Sequence, residues 1–268
     1  IEAGRPLSEY DVVAFSLPYE GGYPRVPHML MRGGVEPLSE RRPRGPLVIA
    51  GGAAASANPE PIADFLDAVV VGEAEAAIEP LLDVLIAARL DPSRKRKAPL
   101  SFESLRDDLR GLPGVYLPSD YRHTYGSDGM LEGIEPMPGA PDRIEAARPA
   151  RIDEPAHSPV ISDRSAFPNR FLVEAARGCP YRCRFCLAGH TGGSFRPAKG
   201  IEETVRRGLE VTPKVGLIGT AFTRAARIAK VCELVAEAGG SLSFSSIRVD
   251  AGSLELLEKV GPALDIES

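Results

Sequence analysis

Three of the four cysteines lie close together, at Cys179, Cys183 and Cys186. Their spacing, CxxxCxxC, follows a short apolar run that is typical of a β-strand. Thiolates are the soft ligands that iron–sulfur clusters require, and a loop after a strand lets three sulfurs converge without strain. Three protein ligands for a four-iron cluster leave one iron open to a substrate. The spacing therefore predicts a 4Fe-4S cluster with one open coordination position.

A structural zinc site is the alternative for the same thiols. Such a site is closed by a fourth Cys or His at finger-like spacing. His190 follows Cys186 at a spacing unlike the common zinc pattern, and Cys232 falls inside a predicted helix. Both stay open as fourth ligands, but the spacing favours iron over zinc and over a chance cluster of inert thiols.

Composition and charge are those of an ordinary globular protein. Of the 268 residues, 43% are hydrophobic and 26% are charged, and this length fits two medium domains. The net charge of -5 argues against nucleic acid as the partner. No stretch approaches the roughly 20 consecutive apolar residues that cross a bilayer, and residues 1–5 do not resemble a signal peptide. We therefore predict a cytoplasmic protein without a membrane partner.

Residues 1–93 alternate strands with helices. Apolar runs bounded by turn formers, as in a parallel sheet covered on both faces, occur at 11–17, 46–52 and 68–73. Helical patterns occur at 60–66 and 75–90. This order predicts a partial Rossmann-like, doubly wound domain, whose ligands bind beyond the carboxyl ends of the strands.

Residues 94–169 are predicted to connect two domains. They open with the basic run 94–97, interpreted as a solvated loop, and contain many prolines and few periodic apolar segments. Segments 114–117 and 130–134 flank the turn 127–129 and are compatible with a small hairpin, because Asp-Gly supplies the positive φ of such turns.

Residues 170–268 resume the alternation. The pattern predicts strands at 170–175, 215–219, 242–249 and 263–266, separated by helices at 201–209, 225–238 and 253–260. This series predicts a partial β/α barrel, in which chemistry lies at the carboxyl ends of the strands. The chain starts without Met and stops at Ser268 just after an apolar run. We therefore expect a fragment of a longer protein, cut at both ends.

The cysteine spacing, with Phe185 directly before the last cysteine, resembles the cluster motif of the radical SAM superfamily, over residues 170–268. The resemblance implies that Cys179, Cys183 and Cys186 bind the 4Fe-4S cluster and that Phe185 lies near the adenine of S-adenosylmethionine (SAM). In this family the open iron binds the amino and carboxylate groups of SAM. Electron transfer from the cluster then gives methionine and a 5'-deoxyadenosyl radical.

Further SAM contacts are implied by position in the family. Where many members carry Gly-Gly-Glu, this chain has Gly219 and Thr220, so the acid is missing and backbone carbonyls are the implied contact. The implied contacts of the ribose or the carboxylate are Ser245, Ser246 and Arg248, at the end of the third strand, and Glu267, at the end of the fourth. A surface ion pair of Arg248 with its neighbour Asp250 is the alternative for that arginine.

The domain order resembles the cobalamin-binding-domain class of radical SAM proteins, in an uncharacterised subgroup. The likeness rests on the sequences at 15–20, 49–52, 58–61 and 71–75. It implies that cobalamin is a candidate second cofactor near Gly51, Gly52 and Gly72, since glycine lets backbone approach a bulky ligand. Tight strand-to-helix turns explain the same glycines equally well. The Asp-x-His-x-x-Gly motif of many cobalamin domains does not occur.

These patterns predict a radical SAM enzyme that acts on an unknown substrate, with cobalamin-dependent methyl transfer as one version. The implied partner is a reductant such as flavodoxin or ferredoxin. Two alternatives stay open: an iron–sulfur binding or electron-transfer module without SAM cleavage, and a methylthiotransferase. The second is disfavoured because methylthiotransferases carry further cysteines ahead of the barrel, whereas this chain has none before Cys179.

Overall fold

The computed structural model describes residues 4–90, 100–220 and 225–245, together with Leu254 and Glu258. The chain divides into two compact units, Ile1–Pro149 and Ala150–Ser268. Each unit contains a sheet of mainly parallel strands together with helices, which confirms the predicted α/β class. Within the described ranges, every helix is too short or too polar to cross a bilayer.

The described part of the first unit has a four-stranded sheet and a separate two-stranded hairpin. The strands of the sheet are β1 (Val12–Ser16), β2 (Leu47–Gly51), β3 (Ala68–Val70) and β4 (Val115–Tyr116), and those of the hairpin are β5 (Tyr121–Tyr125) and β6 (Leu131–Pro136). Its helices are α1 (Arg25–Arg32), α2 (Ala53–Ala57), α3 (Ala74–Leu90) and α4 (Phe102–Arg110). β1, β2 and β3 pair in parallel in chain order, and β4 pairs antiparallel with β3. The segment predicted as a helix at 60–66 forms a 3-10 helix, Glu60–Phe65.

Both faces of this sheet are covered, as the continuous apolar runs predict. In β2, Val48 and Ala50 pack in one core cluster with Leu30 of α1. Leu47 and Ile49 belong to a second cluster that includes leucines of α3 and α4. Because successive strand residues point to opposite faces, an apolar side chain at every position is stable only with both faces buried.

The part of residues 94–169 that belongs to the first unit carries regular structure. Helix α4 packs on α3, and the apolar pair of β4 completes the sheet. The hairpin around the Asp-Gly turn consists of β5 and β6, so its first strand begins at Tyr121 rather than at 114. Asp120, between β4 and the hairpin, is 1% exposed and accepts hydrogen bonds from Arg106 and Arg110 of α4.

The described part of the second unit has five strands, three of which form a parallel sheet. In chain order they are β7 (Phe171–Glu174), β8 (Ala176–Arg177), β9 (Arg196–Pro197), β10 (Lys214–Ile218) and β11 (Ser241–Phe244). Its helices are α5 (Ala188–Thr191), α6 (Ile201–Leu209) and α7 (Ala225–Glu237). The sheet has the order β11-β10-β7, and β8 pairs with β9 in a separate two-stranded ribbon. The predicted helix at 253–260, two positions of which are described, and the strand at 263–266 otherwise lie outside the described residues.

Helix α6 packs on this sheet through residues spaced one turn apart. Its buried positions are Ile201, Thr204, Val205 and Gly208, which form one face of the helix. Gly208 lies on the ring of Phe171, where an added Cβ would be 2.3 Å from the ring. This close contact, with the valines of β10 and α7 behind it, fixes the strand that leads to the cysteines.

Residues 150–158 belong to the second unit. Ile152 lies in its core and pairs with Ala198. His157 bridges Val173 on the free edge of β7, and the Glu174 N–H donates to the Ala156 carbonyl at 2.8 Å. An otherwise unpaired strand edge is therefore covered by the segment just before it.

Candidate functional site

The three cysteines share one loop, residues 178–187, which leaves β8 and enters α5. We call it the cysteine loop. Cys179, Cys183 and Cys186 are half-buried and carry free thiols. Among the described residues, no three Cys, His, Asp or Glu side chains are gathered as a ready-made site for one ion. The loop thus carries three half-buried thiols that are not gathered around a single ion.

Contacts of its own backbone shape the cysteine loop. The Cys186 N–H donates to the Cys183 carbonyl at 3.1 Å. The same carbonyl lies 3.3 Å from the His190 Nε2. Because a carbonyl oxygen can only accept, Nε2 is the donor in this hydrogen bond. Gly189 leaves room for the loop, since a Cβ there would be 2.1 Å from the Tyr181 carbonyl oxygen. Hydrogen bonds and close backbone contacts within the loop therefore shape the turn that carries the last two cysteines.

Gly178 fixes the start of the loop. Its φ is 69°, in the left-handed region that favours glycine, and an added Cβ would be 2.3 Å from the Ser194 carbonyl oxygen. Its own carbonyl accepts a hydrogen bond from the hydroxyl of Thr220, just beyond β10. The residue before Cys179 is thus held from two sides.

An ion pair lies between β7 and the loop. The Arg177 Nε is 2.9 Å from each carboxylate oxygen of Glu174, and its Nη2 is 2.7 Å from Oε2. Both side chains are partly buried. Several contacts between a guanidinium and one carboxylate fix the relative orientation of the two side chains. This ion pair therefore orients the backbone where β8 leads into the cysteine loop.

Ser245 joins the ends of the next two strands. Its Oγ lies 3.1 Å from both the N–H and the carbonyl oxygen of Gly219, and its N–H donates to the Leu217 carbonyl at 3.0 Å. Gly219 and Thr220 therefore connect β11 with the cysteine loop. The other predicted SAM contacts, Ser246, Arg248 and Glu267, lie outside the described residues.

The remaining candidates of the second unit differ in accessibility. The side chain of Phe185 is 93% exposed, and His190 is exposed. Cys232 is instead buried in the core on α7, and this burial raises the pKa of its thiol to about 12. At neutral pH its thiol is protonated, which makes it a poor metal ligand compared with the three loop cysteines.

The first unit contains a cavity of about 400 Å³ at the carboxyl ends of β1, β2 and β3. Its lining is mostly apolar and includes Gly51, Gly52 and Gly72. Gly52 and Gly72 have positive φ, and a Cβ on either would collide with the backbone of Leu17 or Ala147. The close approach of the chain to itself therefore explains these two glycines without a ligand.

Comparison with known proteins bears on the first unit. A family model described as radical SAM proteins, N-terminal, matches residues 1–118. This match supports a place in the radical SAM superfamily. An uncharacterized protein of Methanocaldococcus jannaschii is 25% identical over 263 residues, which are 96% of this chain and 48% of that protein. The chain thus spans about half the length of this curated relative, and no solved structure is significantly similar to it.

The family match and the cysteine motif occupy separate regions of the chain. The family match ends at residue 118 and includes no cysteine, whereas the cysteine motif occupies 179–186. Sequence reasoning missed the residues that hold the cysteine loop in place, which are Glu174, Arg177, Gly178 and Gly189. It predicted Ser245 as a SAM contact but not as a partner of Gly219. The available signals were the opposite charges at 174 and 177 and the glycine directly before the first cysteine.

Proposed function

We propose that this chain forms part of a radical SAM enzyme, in which Cys179, Cys183 and Cys186 bind a 4Fe-4S cluster. The observation that supports this most is the group of three free, half-buried thiols on one loop shaped by its own backbone. When bound, such a cluster supplies the electron that cleaves SAM reductively and begins radical chemistry on the substrate. The substrate and the reaction that follows stay open.

The donor set fits the cluster. Thiolates are its ordinary ligands, and the only other cysteine of the chain is sequestered in the core with a raised pKa. A loop of set shape lowers the entropy that must be lost when three side chains are gathered. A reductant of the flavodoxin or ferredoxin kind is the partner that this chemistry requires.

On the SAM side, we propose that Phe185 contacts the adenine and that the backbone at Gly219 and Thr220 contacts the methionine part. The exposure of Phe185 leaves its ring accessible for such a contact. The hydroxyl of Thr220 is engaged with Gly178, which favours a backbone contact over a side-chain one. Ser246, Arg248 and Glu267 complete the proposed set, and the fold proposed for this unit is the first part of a β/α barrel.

For the first unit we propose a doubly wound fold with a ligand at the carboxyl ends of its strands. The 400 Å³ cavity supports a small ligand or part of a larger one. Support for cobalamin is weaker, because Gly52 and Gly72 face the chain itself and the residues lining the cavity include no histidine. We therefore assign cobalamin no chemical step. An absorbance spectrum of protein purified after growth with the vitamin would test its binding.

Anaerobic reconstitution of the full-length protein with iron and sulfide tests the main proposal. We expect the electron paramagnetic resonance (EPR) signal of a reduced 4Fe-4S cluster, and 5'-deoxyadenosine after addition of dithionite and SAM. Cys183→Ala should lose both, whereas Cys232→Ala, which removes a thiol outside the loop, should keep both. Iron-loaded protein that forms no 5'-deoxyadenosine would instead support an electron-transfer module. Full cluster content in Cys183→Ala would refute the ligand assignment.

A further inference from the structure

We infer that Thr220 is a positioning residue: its hydroxyl holds the start of the cysteine loop against the end of β10 and so sets the place of Cys179. This inference rests on the proposed function for its chemical meaning. The hydrogen bond itself runs from the Thr220 Oγ1 to the Gly178 carbonyl and joins two groups of the protein chain.

The hydrogen bond links distant parts of the chain. Gly178 and Thr220 are 42 positions apart, and the bond between them is partly buried. Gly178 stands directly before Cys179, so its peptide plane determines where that cysteine begins. Cys183 and Cys186 lie beyond this point in a turn with its own hydrogen bond. Thr220 should therefore act mainly on the first cysteine.

Backbone packing constrains Gly178 on another side. There the Ser194 backbone approaches so closely that a Cβ on Gly178 would be 2.3 Å from the Ser194 carbonyl oxygen. That contact limits movement of Gly178 toward Ser194. The Thr220 hydroxyl adds a directional hydrogen bond to the Gly178 carbonyl.

Thr220 is itself held in place. Its neighbour Gly219 is bonded through both N–H and carbonyl to the hydroxyl of Ser245 at the end of β11. Two side-chain hydroxyls thus connect three chain segments in series, from β11 through β10 to the cysteine loop. A side chain shaped like threonine but without the hydroxyl should release the loop and leave the strands intact.

Hydrogen–deuterium exchange of the metal-free protein tests the positioning role. Thr220→Val keeps the shape of the side chain and removes the hydroxyl, whereas Thr220→Ser keeps the hydroxyl. The net value of one hydrogen bond predicts exchange about two- to tenfold faster in the peptide around Cys179 for the valine variant. The serine variant should match the wild type. Equal exchange in the valine variant and the wild type would overturn the inference, as would equally fast exchange in both variants.

Reconstituted protein extends the test to the cluster. With Thr220→Val, loss of iron to a chelator should be about two- to tenfold faster, and the cluster EPR spectrum should change, while Thr220→Ser restores both. Unchanged spectrum and iron loss in Thr220→Val would contradict a role toward the cluster. If the wild type itself shows no 4Fe-4S signal, the proposed function fails, and the exchange data alone then support or overturn the role of Thr220.

Discussion

Replacing Gly178 by alanine tests whether backbone packing holds the cysteine loop. Gly239→Ala is the matched control, because Gly239 lies in the same unit, has a similar φ of 65°, and has nothing within 4 Å of an added Cβ. The two variants therefore share the same backbone strain. They differ in the collision with Ser194, which exists only at Gly178.

The magnitudes follow from these two terms. A non-glycine residue in the left-handed region costs about 1–2 kcal/mol, and this cost is partly offset because alanine restricts the unfolded chain. Gly239→Ala should therefore lower the free energy of unfolding by about 1 kcal/mol. At Gly178 the collision requires the backbone to shift, which adds about 1–3 kcal/mol, as overpacking does.

Urea unfolding followed by far-UV circular dichroism measures both variants against the wild type. The midpoint should fall clearly further for Gly178→Ala, and this variant should also bind less iron after reconstitution, since its loop is displaced. Equal midpoints for the two variants would show that the space around Gly178 is not limiting. Normal iron content in a strongly destabilised Gly178→Ala would show that the loop position does not control cluster binding.

Three further predictions concern stability, SAM and the domain boundary. Burial opposes ionisation of Asp120, but hydrogen bonds from two arginines of α4 lower its pKa overall. The ionised carboxylate therefore stabilises the fold above about pH 4, and this stabilisation is lost as the pH falls through the lowered pKa. Asp120→Asn should cost about 3 kcal/mol in urea unfolding at pH 7, with a smaller difference at pH 3; a constant difference would contradict this. Phe185→Ala should raise the KM for SAM with little effect on iron content, and an unchanged KM would argue against an adenine contact. A protein starting at residue 150 should give sharper amide NMR spectra than one starting at 170, which lacks the segment that covers β7; equal spectra would show that this segment is dispensable.

Periodicity predicted the elements that bury regular apolar faces. The apolar runs of β1 and β2 and the one-turn spacing in α6 are local signals, and the structure places these elements close to the predicted bounds. The hairpin shows where the signal misleads. The apolar segment with Val115 and Tyr116 is the buried edge of the sheet, whereas the outer hairpin strand β5 is polar and half-exposed. Helix α1, between two glycine-rich turns, was not predicted.

The candidate site divides in the same way. The cysteine spacing is visible in the sequence, because it depends on neighbours along the chain. The bond between Thr220 and Gly178 is not, since a threonine after a strand gives no sign of what its hydroxyl will meet. Gly52 illustrates a further limit, because a glycine beside a ligand and a glycine beside another backbone segment look identical in sequence. In the structure, a Cβ on Gly52 would be 2.7 Å from the Leu17 carbonyl oxygen.

The strand order has a consequence for synthesis on the ribosome. In both sheets the strands are neighbours in the order of the chain, β1-β2-β3-β4 and β7-β10-β11. A nascent chain, which emerges from its N-terminus, can therefore add each strand to an edge that already exists. The cysteine loop is the exception, because its anchor at Thr220 emerges 42 positions after Gly178. During translation Gly178 and Cys179 leave the ribosome before Thr220, so the start of the cysteine loop can gain this hydrogen bond only after β10 has emerged.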